Sequence, residues 1–204
     1  MTAVRTSAAP PPTRPAPPSV VRIGLARVAL ELKLFFRERQ QIVFSFAYPV
    51  VMLVIFAAIL GGDERPGDVP FTHYFLAGIA ATGIMLTSFQ ALGTAIADER
   101  GNGQLEQLQL LGTPAVAYFA GKAGQVLVTT AAQLAILLPV ARYAYDVPLP
   151  SDLGHWLTFA WVAALGSLAG TVLGVAVSAL PGDASSVTTG ISAFALVLQF
   201  FSGV

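Results

Sequence analysis

Cysteine is absent from the chain, which excludes disulfides, thiolate metal sites and cysteine nucleophiles. Charge is scarce as well. Asp, Glu, Lys and Arg make up 11% of the 204 residues, where a soluble domain carries about 25%. The 11 bases and 11 acids cancel to a net charge of zero, so neither a nucleic-acid partner nor a field steering acidic substrates is indicated. The two histidines, His73 and His155, fall at outer helix ends with no carboxylate or cysteine set around them. They read as interfacial residues rather than metal ligands. Apolar surface, by contrast, is abundant: 55% of the residues are hydrophobic and the mean hydropathy is +0.71. A soluble fold of this size could not hide so much in one core, whereas a bilayer is itself an apolar solvent. The expected class is an all-α, polytopic membrane protein.

The chain opens on a proline-rich stretch, residues 1–19, with Pro10, Pro11, Pro12, Pro15, Pro17 and Pro18 and no apolar core of a secretory signal. It reads as a solvated, disordered cytoplasmic tail. Residues 20–41 carry Val21, Leu25, Val28, Ala29, Leu32 and Phe36 near helical spacing, with Arg22, Arg27, Glu31, Arg37 and Glu38 on the polar side. That pattern predicts an amphipathic helix lying in the membrane interface.

Five apolar runs follow, at about 42–60, 71–97, 123–141, 155–180 and 185–204. The first is uncharged and rises about 28 Å as a helix, close to the hydrocarbon thickness. Its Leu, Ile, Phe and Val residues favour insertion by roughly 4–7 kcal/mol. Lys and Arg fix the orientation: with the N-terminus cytoplasmic, Arg100 and Lys122 join the seven bases of the N-terminal region on the inner side. Arg65 and Arg142 alone lie outside. No polar flank closes the fifth run before Val204, so a sixth helix is expected beyond it.

The polar segment 98–122 is the one sizeable inner loop. Gly101 and Gly103 permit a turn out of the second span. Gln104–Leu111 is expected to form a short helix with Leu105, Leu108 and Leu111 on one face and Glu106 on another, stopped by Gly112-Thr113-Pro114. On the fourth span, Gly166, Gly170 and Gly174 repeat every four residues and make a groove for close helix packing.

Enzymatic devices are missing. Gly121-Lys122 ends like a P-loop, but Val116 stands where the first glycine belongs and Ala123 where Ser or Thr belongs. No serine sits in a nucleophile elbow. No ionisable residue falls in the middle of a span, where proton-coupled carriers and pumps place such groups. Energy for any transport would then come from a partner.

Several segments together resemble the membrane permeases of ABC-2 type ABC transporters, among them the daunorubicin-resistance permeases. They are Phe35-Phe36-Arg37-Glu38-Arg39 before a span with Tyr48-Pro49; Glu99-Arg100-Gly101-Asn102-Gly103-Gln104-Leu105-Glu106-Gln107-Leu108; Thr113-Pro114 and Gly121-Lys122; and Ser202-Gly203. The resemblance covers about residues 25–204. It implies six membrane helices, a permease homodimer or heterodimer in the plasma membrane, and a separate ATPase subunit that binds ATP and Mg²⁺, this chain binding no cofactor itself. It also implies export of an antibiotic or other amphipathic drug, or of a lipid-linked polysaccharide. The ATPase-coupling residues are then expected to be Glu99, Arg100, Leu105, Glu106 and Leu108, with Phe35, Phe36, Arg37 and Arg39 as a second docking element. Thr87, Gln90, Thr94 and Gln199 are expected along the substrate path, the alternative being that they only hydrogen-bond between helices. A membrane anchor or assembly subunit that transports nothing remains the rival from another class.

Overall fold

The computed structural model describes residues 19–60 and 70–202. The proline-rich tail up to residue 18 and the acidic loop 61–69 lie outside the described residues. All described elements are helical. A 16-residue helix, α1 (Val20–Phe35), is started by Ser19, whose hydroxyl accepts from the Arg22 amide at 3.4 Å. Five helices are long and apolar enough to cross a membrane: α2 (Arg39–Ile59), α3 (Phe71–Gly101), α5 (Ala115–Tyr145), α6 (Leu153–Ser178) and α7 (Ala184–Ser202). The short α4 (Gln104–Leu110) joins α3 to α5. The chain is a multi-pass membrane protein.

Helix length explains where the charges go. The 31 residues of α3 and of α5 rise about 46 Å, against roughly 30 Å of hydrocarbon. Both helices are thus longer than a straight crossing needs, and Asp98, Glu99, Arg100 and Lys122 gather at one end of the bundle, called the charged end below. The polar segment therefore divides differently from the sequence expectation of a loop over 98–122. The second crossing helix runs on through Gly101, the third begins at Ala115, and Lys122 is a helical residue. Only the linkers around α4 are non-helical. Gly103 and Gly112 hold φ near +70° at its two ends, a conformation that a Cβ opposes.

Two of the crossing helices contain a widened π turn. In α2 it covers Val43–Ala47, just before Pro49. That residue offers no N–H to the Ser45 carbonyl and its ring crowds the same group. In α3 the wide turn covers Leu86–Ala91. There the Ser88 hydroxyl donates to the Ile84 carbonyl at 2.7 Å and competes for an acceptor of the helix ladder.

Without water between the helices, packing depends on small residues and on polar groups bonded inside the bundle. Gly170 and Gly174 let α6 approach α3 at Ser88 and Phe89, and Gly174 also meets Gly93; Gly166 lies more loosely against Ile84. Gly121 and Gly124 likewise receive Arg27 and Val28, so α1 lies along α5 in close contact. Ser167 donates to Thr130 at 3.3 Å between α6 and α5. At the charged end α7 starts at Asp183, whose carboxylate accepts from the Ser186 hydroxyl and amide; these bonds hold its carboxyl below the usual carboxylate range. Apolar side chains such as Trp161 and Phe200 remain outside the bundle, facing lipid.

Gly174→Leu should cost about 1–3 kcal/mol by forcing α6 off the α3 backbone, read as a lowered melting temperature in detergent. Gly190→Leu, with open space around that position, should melt like the parent protein.

Candidate functional site

The charged end is organised around Lys122. Its side chain comes from the second turn of α5 and is only 3% exposed. The ammonium donates to Glu31 Oε2 of α1 at 2.9 Å and is in direct contact with Glu99 of α3. The other oxygen of Glu99 accepts from the Tyr118 hydroxyl at 2.7 Å. Arg27 pairs with Glu31 at 2.8 Å, and its guanidinium lies 5.4 Å from the centre of the Tyr118 ring. Two acids and two bases from three helices thus close a neutral, largely buried ring.

Arg100, the next residue, points elsewhere. It donates to the carbonyls of Leu180 at 3.0 Å and Gly182 at 3.3 Å, in the turn between α6 and α7. Glu99 and Arg100 together therefore tie α3 to α1 and α5 on one side and to the α6–α7 turn on the other.

The remaining residues expected to couple to a partner divide by where they point. Leu105 and Leu108 turn inward and line a cavity of about 260 Å³ with Ile96, Tyr118, Phe119 and Val175. Glu106 faces outward, and so do Leu110 and Leu111, which are 88% and 80% exposed; Val116 is exposed as well. Phe35 is buried, its ring edge-on to Phe36 at 5.4 Å and to Phe46 at 6.1 Å; Phe36, Arg37 and Arg39 are exposed.

The four residues expected along a substrate path come together. Thr87, Gln90, Thr94 and Gln199 all line one groove of about 610 Å³ between α2, α3 and α7. Thr87, Gln90 and Thr94 share a face of α3 that continues to Asp98 at the groove's charged end. Both π turns border the groove, through Phe44 and Ser45 on α2 and through Leu86, Thr87, Gln90 and Ala91 on α3. Some of these polar groups are also partnered between helices: Gln90 donates to Ser192 at 3.3 Å, and Thr87 to Gln133 at 3.4 Å. Thr94 bonds back to the Ala91 carbonyl. Among the described residues no group of three His, Asp or Glu side chains is placed to hold a metal ion.

Sequence reasoning missed Arg27, Glu31, Tyr118 and Lys122 as one unit. Two local signals were present: Arg27 and Glu31 are spaced i, i+4 on α1, and Tyr118 and Lys122 are spaced i, i+4 on α5. That these two pairs meet depends on the glycines at 121 and 124, which the false likeness to a P-loop obscured. Asp98 and Ser192 were missed for the simpler reason that nothing local marks them as lining a groove.

A family model described as ABC-2 family transporter protein matches residues 66–204, from the acidic loop through all of α3 to α7. No curated protein and no solved structure matches the chain.

Proposed function

This chain belongs to the ABC-2 family of transporter proteins and is a permease component of an ABC transporter, and from that premise we propose that it is the membrane half of an ATP-driven exporter. In this reading it sits in the plasma membrane with its N-terminus and charged end in the cytoplasm. It pairs with a second permease copy, identical or homologous, and with a separate ATPase subunit that binds ATP and Mg²⁺. The exported molecule is an amphipathic drug or lipid-like compound carried along the groove between α2, α3 and α7.

The observation that carries the reading is the buried ring at Lys122. A permease driven from outside needs a docking face and a stiff connection from that face to the transport path. The outward face of α4, with Glu106, Leu110 and Leu111, supports the first requirement. The exposed Phe36, Arg37 and Arg39 just beyond α1 support it as well. The ring supports the second, because a push on α1 meets Lys122 through Glu31 and reaches α3 through Glu99. Helix α3 then carries Thr87, Gln90 and Thr94 along the groove, so displacement of its charged end changes the path that the cargo sees. Within this scheme Glu99 and Arg100 transmit force, while Glu106 and the leucines beyond it take the contact with the partner.

The test is co-expression with an ATPase encoded in a neighbouring reading frame, co-purification, and reconstitution into liposomes. ATP-dependent movement of an amphipathic dye, abolished when the ATPase is omitted, is the expected result. A chain that never associates with such an ATPase, or one whose removal leaves transport unchanged, would refute the proposal.

A further inference from the structure

We propose that the groove between α2, α3 and α7 selects an amphiphile bearing one positive charge, with Asp98 as its counter-charge. This rests on the reading that the groove carries the exported molecule, and it adds the chemical class.

The charged end of α3 carries three ionic side chains in a row, two of them already partnered. Of the triplet Asp98-Glu99-Arg100, Glu99 is taken by Lys122 and Tyr118, and Arg100 by two backbone carbonyls. Asp98 alone has no cation within ion-pair distance among the described residues; its carboxylate accepts a long hydrogen bond from the Thr188 hydroxyl at 3.5 Å. It is also the one member of the triplet that lines the groove. Among the described residues no Lys, Arg or His lines the groove. A carboxylate at the water-facing end of an otherwise uncharged cleft attracts a cation and repels an anion, and nothing in the lining reverses that sign.

The rest of the lining fits the body of such a molecule. From Asp98 to Gly83 the groove follows α3 for about 22 Å. Its volume of about 610 Å³ falls in the range of about 300–1,000 Å³ usual for drug-sized ligands. Phe44 and Tyr48 offer aromatic faces, which attract cations as well as flat apolar rings. Gln90, Thr94 and Gln199 offer neutral hydrogen bonds. An amphiphile resting in a leaflet keeps its charged head at headgroup depth and its apolar body deeper. The groove has the same polarity: Asp98 stands at its charged end, and the remaining lining carries no charge. A lipid-linked diphosphate would meet a carboxylate at that entrance and no cation along the cleft.

The test uses the purified permease with its ATPase and two probes of matched shape and opposite charge, tetraphenylphosphonium and tetraphenylborate, with binding followed by calorimetry. The expected result is at least tenfold tighter binding of the phosphonium. Asp98→Asn should weaken phosphonium binding about tenfold, Asp98→Glu should retain it, and Gln90→Lys should shift the preference toward the borate. If Asp98→Asn fails to fold, the Asp98→Glu and Gln90→Lys proteins decide the question by themselves. Equal binding of the two probes, or full phosphonium affinity in Asp98→Asn, would overturn the charge assignment. The groove would keep its role in that case if Gln90→Trp, which fills it, blocks both probes. Binding of neither probe by the parent complex would overturn the groove reading as well.

Discussion

Lys122→Met is expected to destabilise the protein by about 3–5 kcal/mol, because it leaves two carboxylates facing each other in a buried site with their shared cation gone. Methionine has nearly the length of the lysine stem, so the loss would come from charge and not from a cavity. Glu31 is 5% exposed and would keep only Arg27 as a partner; Glu99 would keep only the Tyr118 hydroxyl. Thermal unfolding in detergent should show a clearly lowered midpoint. Neutralising Glu99 as well, in Lys122→Met/Glu99→Gln, should recover most of the stability, since it keeps the Arg27–Glu31 pair intact and a neutral replacement of a buried ion pair is often tolerated. The double variant should nevertheless export poorly, because no ionic contact then links α1 and α3 through α5. A Lys122→Met protein that melts like the parent would show that Lys122 does not hold these helices.

A second large effect is expected from Leu110→Glu/Leu111→Glu. Both side chains are almost fully exposed, so their replacement should leave folding and membrane insertion unchanged, surface substitutions usually staying within about 0.5 kcal/mol. If α4 docks on an ATPase subunit, two buried negative charges would enter an apolar contact. ATP-driven export should then fall at least tenfold and the two subunits should no longer co-purify. Leu105→Glu/Leu108→Glu makes the contrast, because those leucines face the cavity beside Tyr118 and Val175. That change should lower stability instead of separating the subunits. Retained co-purification in the Leu110/Leu111 variant would move the docking face away from α4.

The fold was legible where physics is local. Uncharged runs of membrane length identify crossing helices whatever their neighbours do, and Gly112-Thr113-Pro114 does end α4. The ends of α3 and α5 were less legible. Glu99 and Lys122 look like loop residues because charge next to an apolar run usually marks the membrane boundary. They are helical here because each charge finds an opposite one inside the bundle, a tertiary fact with no local trace. The direction of the leucines on α4 has the same origin: spacing predicts one face for Leu105, Leu108 and Leu111, but Leu111 lies at the helix's C-terminal cap and is 80% exposed, while Leu105 and Leu108 turn inward. Only the position of Tyr118, Phe119 and Val175 decides which of them turns inward. The convergence of Thr87, Gln90, Thr94 and Gln199 was half legible. The first three share a helical face, while their approach to Gln199 depends on how α7 packs.

A π turn is an α-helix holding one surplus residue, and each residue turns a helix by about 100°. Two of the three helices that wall the groove store such a surplus, at Val43–Ala47 and Leu86–Ala91. Tightening either turn, or passing the surplus along, would rotate the lower half of the helix against the upper by up to that angle. On α3 this would swing Thr94 and Asp98 away from the line of Gly83 and Thr87. The cleft could thus exchange a polar wall for an apolar one by a screw motion, with every helix still hydrogen-bonded and no backbone group exposed to lipid.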